Sequence, residues 1–122
     1  MNVTLYKKLV CWQCTRTGEL FDKHEIAHAI IPDISADEHS ADLARVKELG
    51  YLQAPVVTVE IDDDLKRQIP ADEVVFETIT KNELARKMIT GLRTEGFAHW
   101  SGLNPDNIEA LAAIKSLVPQ LA

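Results

Sequence analysis

Tyr6-Lys7-Lys8-Leu9-Val10-Cys11-Trp12-Gln13-Cys14 holds both cysteines of the chain, two residues apart and directly after a short apolar run. Residues 2–6 alternate and carry β-formers, which predicts a first strand. Beyond the cysteines, Cys14, Thr17, Gly18 and Phe21 recur with the period of one helical face, predicting a helix from about Trp12 to Lys23. A Cys-x-x-Cys at the start of a helix that follows a strand reads as a redox motif. The first sulfur meets the unpaired N–H groups and positive end of the helix, which stabilise a thiolate, and Lys8 adds a cation nearby. The second thiol lies within reach to resolve a mixed disulfide. Cys11 is therefore the expected nucleophile and Cys14 the resolver.

Composition narrows the class. The 122 residues, 46% hydrophobic, allow one ordinary core, so a single domain over residues 1–122 is expected. A formal charge of −6 argues against nucleic acid, whose phosphates reward cationic surfaces. No stretch approaches the roughly 20 apolar residues of a membrane span, and no signal-peptide pattern follows Met1. A cytoplasmic chain is expected, and there a cysteine pair is more often catalytic or metal-binding than structural.

A zinc site is the main rival. Cys11-x2-Cys14-x9-His24-x3-His28 has a shortened Cys2His2 spacing. The predicted helix, however, would separate Cys11 from His24 by ~18 Å, beyond any shared ion. No metal is expected. Two inert buried cysteines are the bland alternative, and the short spacing at a helix start counts against them. His39 and His99 read most simply as surface or packing residues.

Downstream, residues 28–34 predict a second strand limited by Pro32. Ser35-Ala36-Asp37-Glu38 has the form of a capping box, opening a helix with His39, Leu43, Val46 and Leu49 on one face and Gly50 past its end. Residues 53–59 predict a third strand. The order β-α-β-α-β points to a small α/β sheet. Asp62-Asp63-Asp64 marks a break, and residues 73–79 are compatible with a further strand. Thr80-Lys81-Asn82-Glu83 has the form of a second capping box before a helix carrying Leu84, Met88 and Leu92 on one face. Phe97–Trp100 predicts a last strand. Asn104-Pro105 starts a closing helix whose Ile108, Leu111, Ile114 and Val118 face the sheet.

Three segments carry a resemblance: Tyr6 through Thr15, Leu49-Gly50-Tyr51-Leu52-Gln53-Ala54-Pro55-Val56-Val57, and His99-Trp100-Ser101-Gly102-x-x-Pro105-Asp106-x-Ile108. In order and interval they resemble the NrdH-redoxin branch of the glutaredoxin family, within the thioredoxin fold. The resemblance covers roughly residues 1–60 and 97–118. It implies an α/β fold with a central four-stranded mixed sheet flanked by helices. Pro55 would be cis and face the cysteines, with Ala54 offering its backbone to a partner's extended chain. Trp12, Gln13, Gln53 and Ala54 would line the partner groove, and Trp100, Ser101 and Gly102 would hold a loop over part of the glutathione region of other glutaredoxins.

By the same resemblance, electrons would come from NADPH through thioredoxin reductase and pass to class Ib ribonucleotide reductase, with no cofactor bound to the chain itself. A glutathione-dependent glutaredoxin is the alternative. Leu9-Val10 replaces the pair usual in relatives, Trp12 is bulkier than its usual counterpart, and Leu103-Asn104 departs from an aromatic-basic pair. Residues from about 61 to 95 have no counterpart, because relatives join the two flanking strands by a tight turn. This inserted strand/helix segment is either a solvated elaboration or an interface, with the reductase or with a second copy. A non-catalytic module built on it is the reading from another class. A monomer is expected.

Overall fold

The computed structural model describes residues 1–121. Its sheet has four strands, β1 (Asn2–Tyr6), β2 (Ala29–Ile31), β3 (Val56–Glu60) and β4 (Phe97–Ser101), in the order β2-β1-β3-β4. β1 and β2 are parallel, and β1–β3 and β3–β4 are antiparallel, giving the mixed sheet expected of a thioredoxin-type fold. The helices are α1 (Trp12–Lys23), α2 (Ser40–Glu48), α3 (Asp63–Lys66), α4 (Asp72–Thr78), α5 (Glu83–Glu95) and α6 (Pro105–Leu117). None of them is long and apolar enough to cross a membrane.

Alternation along the strands splits the buried residues between two faces. Val3, Leu5, Val57, Val59, Ala98 and Trp100 pack with Leu20 and Phe21 of α1 and with Ile108, Leu111 and Ile114 of α6. On the other face Tyr6 and Val56 pack with Val46 of α2 and with Ile34. α6 starts where its sequence says it should: Asn104 Oδ1 accepts the N–H of Asn107, and Pro105 occupies the first turn.

Residues 61–96 differ most from expectation. The segment read as a strand at 73–79 is the helix α4, so the ordered elements of the insertion are three helices, α3, α4 and α5. Val74, Val75 and Phe76 are β-formers, but Asp72 and Glu73 complement the positive end of a helix, and Val75 reaches the core from one turn. The short α3, capped by Asp62 Oδ1 on the N–H of Leu65, arises from the triple-aspartate break. Ile69, Val75, Ala85, Met88, Ile89 and Leu92 join the same hydrophobic cluster as α1 and α6. The insertion is thus an extension of the core, not a solvated loop. It leaves and returns between β3 and β4, where the Ile61 N–H donates to the Gly96 carbonyl at 2.9 Å. Gly96 ends α5 at φ +70°, and a Cβ there would sit 2.9 Å from the Ile61 carbonyl, so glycine fits both the turn and the contact.

Neither predicted capping box forms as such. Ser35 turns back on Asp33, whose Oδ1 accepts both its N–H and its hydroxyl. A 3-10 turn at Asp37–His39 then precedes α2. Asn82, not Thr80, caps α5 by accepting from Ala85, while Thr80 Oγ1 accepts the Asn82 N–H. The second strand is also shorter than 28–34, because Pro32 follows it directly.

Candidate active site

The end of β1 delivers the chain to Cys11, which is the N-cap of α1 in extended conformation. Its Sγ accepts the backbone N–H of Cys14 at 3.1 Å, the role a serine or aspartate oxygen plays at other helix starts. Cys11 and Cys14 form a disulfide, with Cα atoms 5.2 Å apart. Cys11 is half-buried, whereas Cys14 is wholly enclosed, so only the first sulfur can meet another molecule. No acidic residue lies in the first turn of α1. A thiolate at Cys11 in the reduced state would therefore see the helix's positive end with no like charge on that turn. Thr17, buried one turn below, satisfies its hydroxyl on the Gln13 carbonyl at 2.7 Å.

Two distant segments reach this helix start. The Ala54–Pro55 peptide is cis, as the resemblance implied. The Pro55 carbonyl accepts the Gly102 N–H at 2.8 Å, and Ser101 Oγ donates to the Gln53 carbonyl at 3.0 Å. Gln13, between the two cysteines, accepts the Leu103 N–H on its Oε1 at 3.3 Å. Three hydrogen bonds thus join the cysteine turn, the proline loop and the Ser101–Leu103 turn at one end of the sheet. Gln13 spends its side-chain oxygen on this tie.

The other predicted residues divide. Leu9, Val10 and Trp12 beside Cys11 are 78%, 96% and 70% exposed. Lys8, Gln53 and Ala54 border an apolar groove floored by Tyr6, Ile34, Leu43, Val46 and Val56. Leu52, 86% exposed at the same groove, was missed: it stands in the Leu49–Val57 segment but on no periodic face, which was the available signal. Trp100 is 6% exposed and packs in the core cluster that the inserted helices share. Nearby, Tyr51 Oη lies 2.7 Å from Nδ1 of His99, and burial pushes the Tyr51 phenol up from its ordinary value.

The two histidines of the zinc reading are engaged elsewhere. His24 ends α1, and His28 holds the Ile26 carbonyl and stacks on Phe21. Among the described residues no three His, Cys, Asp or Glu side chains gather as a metal site.

No family model matches the chain. Two curated relatives do: the glutaredoxin-like protein NrdH of Lactococcus lactis subsp. lactis and that of subsp. cremoris are each 31% identical over 84 residues. The match spans 69% of this chain and 96% of each relative. Among solved structures, the glutaredoxin-like protein NrdH-redoxin from Escherichia coli is similar with a TM-score of 0.49 and 22% identity, over 91% of this chain and 95% of that one.

Proposed function

Because this chain belongs to the glutaredoxin-like NrdH family and is a small thiol–disulfide oxidoreductase, we propose that it takes electrons from thioredoxin reductase and delivers them to a protein disulfide. The class Ib ribonucleotide reductase is the acceptor in this reading. The Cys11 thiolate attacks one sulfur of the acceptor's disulfide, forming a mixed disulfide and releasing the other sulfur as a thiolate that takes a proton. Cys14 then loses its proton and attacks Cys11 Sγ. The Cys11–Cys14 disulfide forms, and the acceptor leaves with both sulfurs reduced. Two electrons have moved. The reductase restores the dithiol at the expense of NADPH, and the chain itself needs no resident cofactor.

The observation that carries a protein partner is the rim of Cys11. Leu9, Val10 and Trp12 present large apolar side chains to solvent beside the half-buried Cys11, and Leu52 does so at the groove that Lys8 borders. Exposed apolar patches of this kind mark protein-binding surfaces, and tryptophan is enriched at their centres. The tied Ser101–Leu103 turn fixes the other wall. Lys8 and Pro55 support the site, the first by its charge and the second by holding Gly102. The reading places the protein in the cytoplasm, where the reductase works, as a monomer.

The test supplies NADPH and thioredoxin reductase with a disulfide-bearing substrate protein, and glutathione with glutathione reductase in parallel. NADPH consumption through thioredoxin reductase, at least ten times faster than through glutathione, is expected. Turnover with glutathione alone would overturn the assignment of the electron donor.

A further inference from the structure

We propose that the inserted helix α5 and the free edge of β4 form a second docking groove, which receives an extended segment of the partner protein beyond its reacting cysteine. This rests on the reading of Cys11 as the sulfur that attacks the partner. The groove encloses about 580 Å³ and runs between Leu84, Lys87 and Met88 of α5 and His99, Trp100 and Ser101 of β4, with Asn104 and Asn107 at its α6 end.

Two buried polar atoms of residues lining it lack a hydrogen-bond partner among the described residues: the Trp100 indole Nε1–H, a donor, and Asn107 Oδ1, an acceptor. Trp100 is 6% and Asn107 3% exposed, so both atoms lie just beneath the groove surface, where its occupation is felt.

The strand edge supplies more. β4 has a neighbour on one side only. Ile61 N–H bonds the Gly96 carbonyl, and Gly102 N–H bonds the Pro55 carbonyl. With the β3–β4 register, these bonds turn the backbone groups of Ala98 and Trp100 inward and those of Phe97, His99 and Ser101 outward. At the Phe97 end α5 closes on the edge, since a Cβ on Gly91 would lie 3.1 Å from the Phe97 carbonyl. Further along, His99 and Ser101 face the groove, where an added strand could pair with them. Leu84, 66% exposed, offers an apolar contact at the mouth. Ser101 also belongs to the turn tied to Gln53 and Pro55, so the groove is continuous with the redox site. An extended peptide fits an unpaired strand edge with an apolar contact at its mouth.

The experiment tethers the probe at Cys11. The Cys14→Ser protein, labelled with nitrogen-15, is reacted with mixed disulfides of 2-nitro-5-thiobenzoate. The Cys11 thiolate displaces the aryl thiolate, and a Cys11–probe disulfide forms. One probe is N-acetylcysteine amide. The other is a capped nonapeptide with a central cysteine and four alternating threonines and valines on each side. Tethering raises the effective concentration to about the millimolar range, so weak pairing becomes visible.

The nonapeptide adduct, and not the small one, is expected to move the Trp100 indole N–H resonance and to slow amide exchange at His99 and Ser101 at least tenfold. Leu84→Trp, at an exposed position, should fill the mouth and abolish both effects without preventing the adduct. Equal changes with both probes, or none with the nonapeptide, would overturn the groove. Failure of either probe to form an adduct at Cys11 would overturn the redox reading, and the groove with it.

Discussion

Gln13 Oε1 accepts the backbone N–H of Leu103 across 90 positions of sequence, tying the residue between the two cysteines to the turn that follows β4. A single neutral hydrogen bond of this length contributes about 0.5–1 kcal/mol. Gln13→Met keeps the bulk and removes the acceptor. It should lower the melting temperature by roughly 2–5 °C, a shift readable by circular dichroism. The same variant frees the Ser101–Leu103 turn from α1. Glutathione-coupled turnover should therefore rise severalfold relative to reductase-coupled turnover, and an unchanged ratio would show that the turn does not control donor choice.

The contrast between a half-buried Cys11 and an enclosed Cys14 predicts opposite trapping behaviour. Cys14→Ser should accumulate a mixed disulfide with a substrate protein on a non-reducing gel, and Cys11→Ser should accumulate none. The reverse pattern would exchange the two roles.

These features were legible because local rules govern them. The Cys-x-x-Cys spacing, the apolar period of α1 and the Asn104-Pro105 start of α6 each act within one or two helical turns, and each appears as read. The insertion was less so. Val74-Val75-Phe76 favours a strand by composition, yet Asp72 and Glu73 start a helix there, and Val75 reaches the shared core from a single helical turn. Only the three-dimensional arrangement carries that information. The same holds for Trp100, whose burial depends on helices that its own neighbours in sequence do not announce.

Thr80-Lys81-Asn82-Glu83 shows how two caps compete within four residues. Asn82 Oδ1 accepts the Ala85 N–H, and its Nδ2 donates to Asp106 at the start of α6. Thr80 only steadies the turn, through the Asn82 N–H. Asn82→Ala should cost about 1–2 kcal/mol in denaturant unfolding. Thr80→Ala should cost about 0.5–1 kcal/mol, one neutral bond near the surface. Equal losses would return the cap to Thr80.

Along α5 the buried face is Ala85, Met88, Ile89 and Leu92, while Leu84, read from periodicity as part of it, points outward. Leu92→Ala removes a fully enclosed side chain from the cluster shared with α1 and α6, and should destabilise the protein by about 2–5 kcal/mol. Leu84→Ala, exposed, should change stability by no more than about 0.5 kcal/mol. Urea unfolding of the two variants separates an insertion that belongs to the core from one that rests on the surface. If Leu92→Ala were as mild as Leu84→Ala, the core would close without the insertion, and α5 would be dispensable to the fold that positions Cys11.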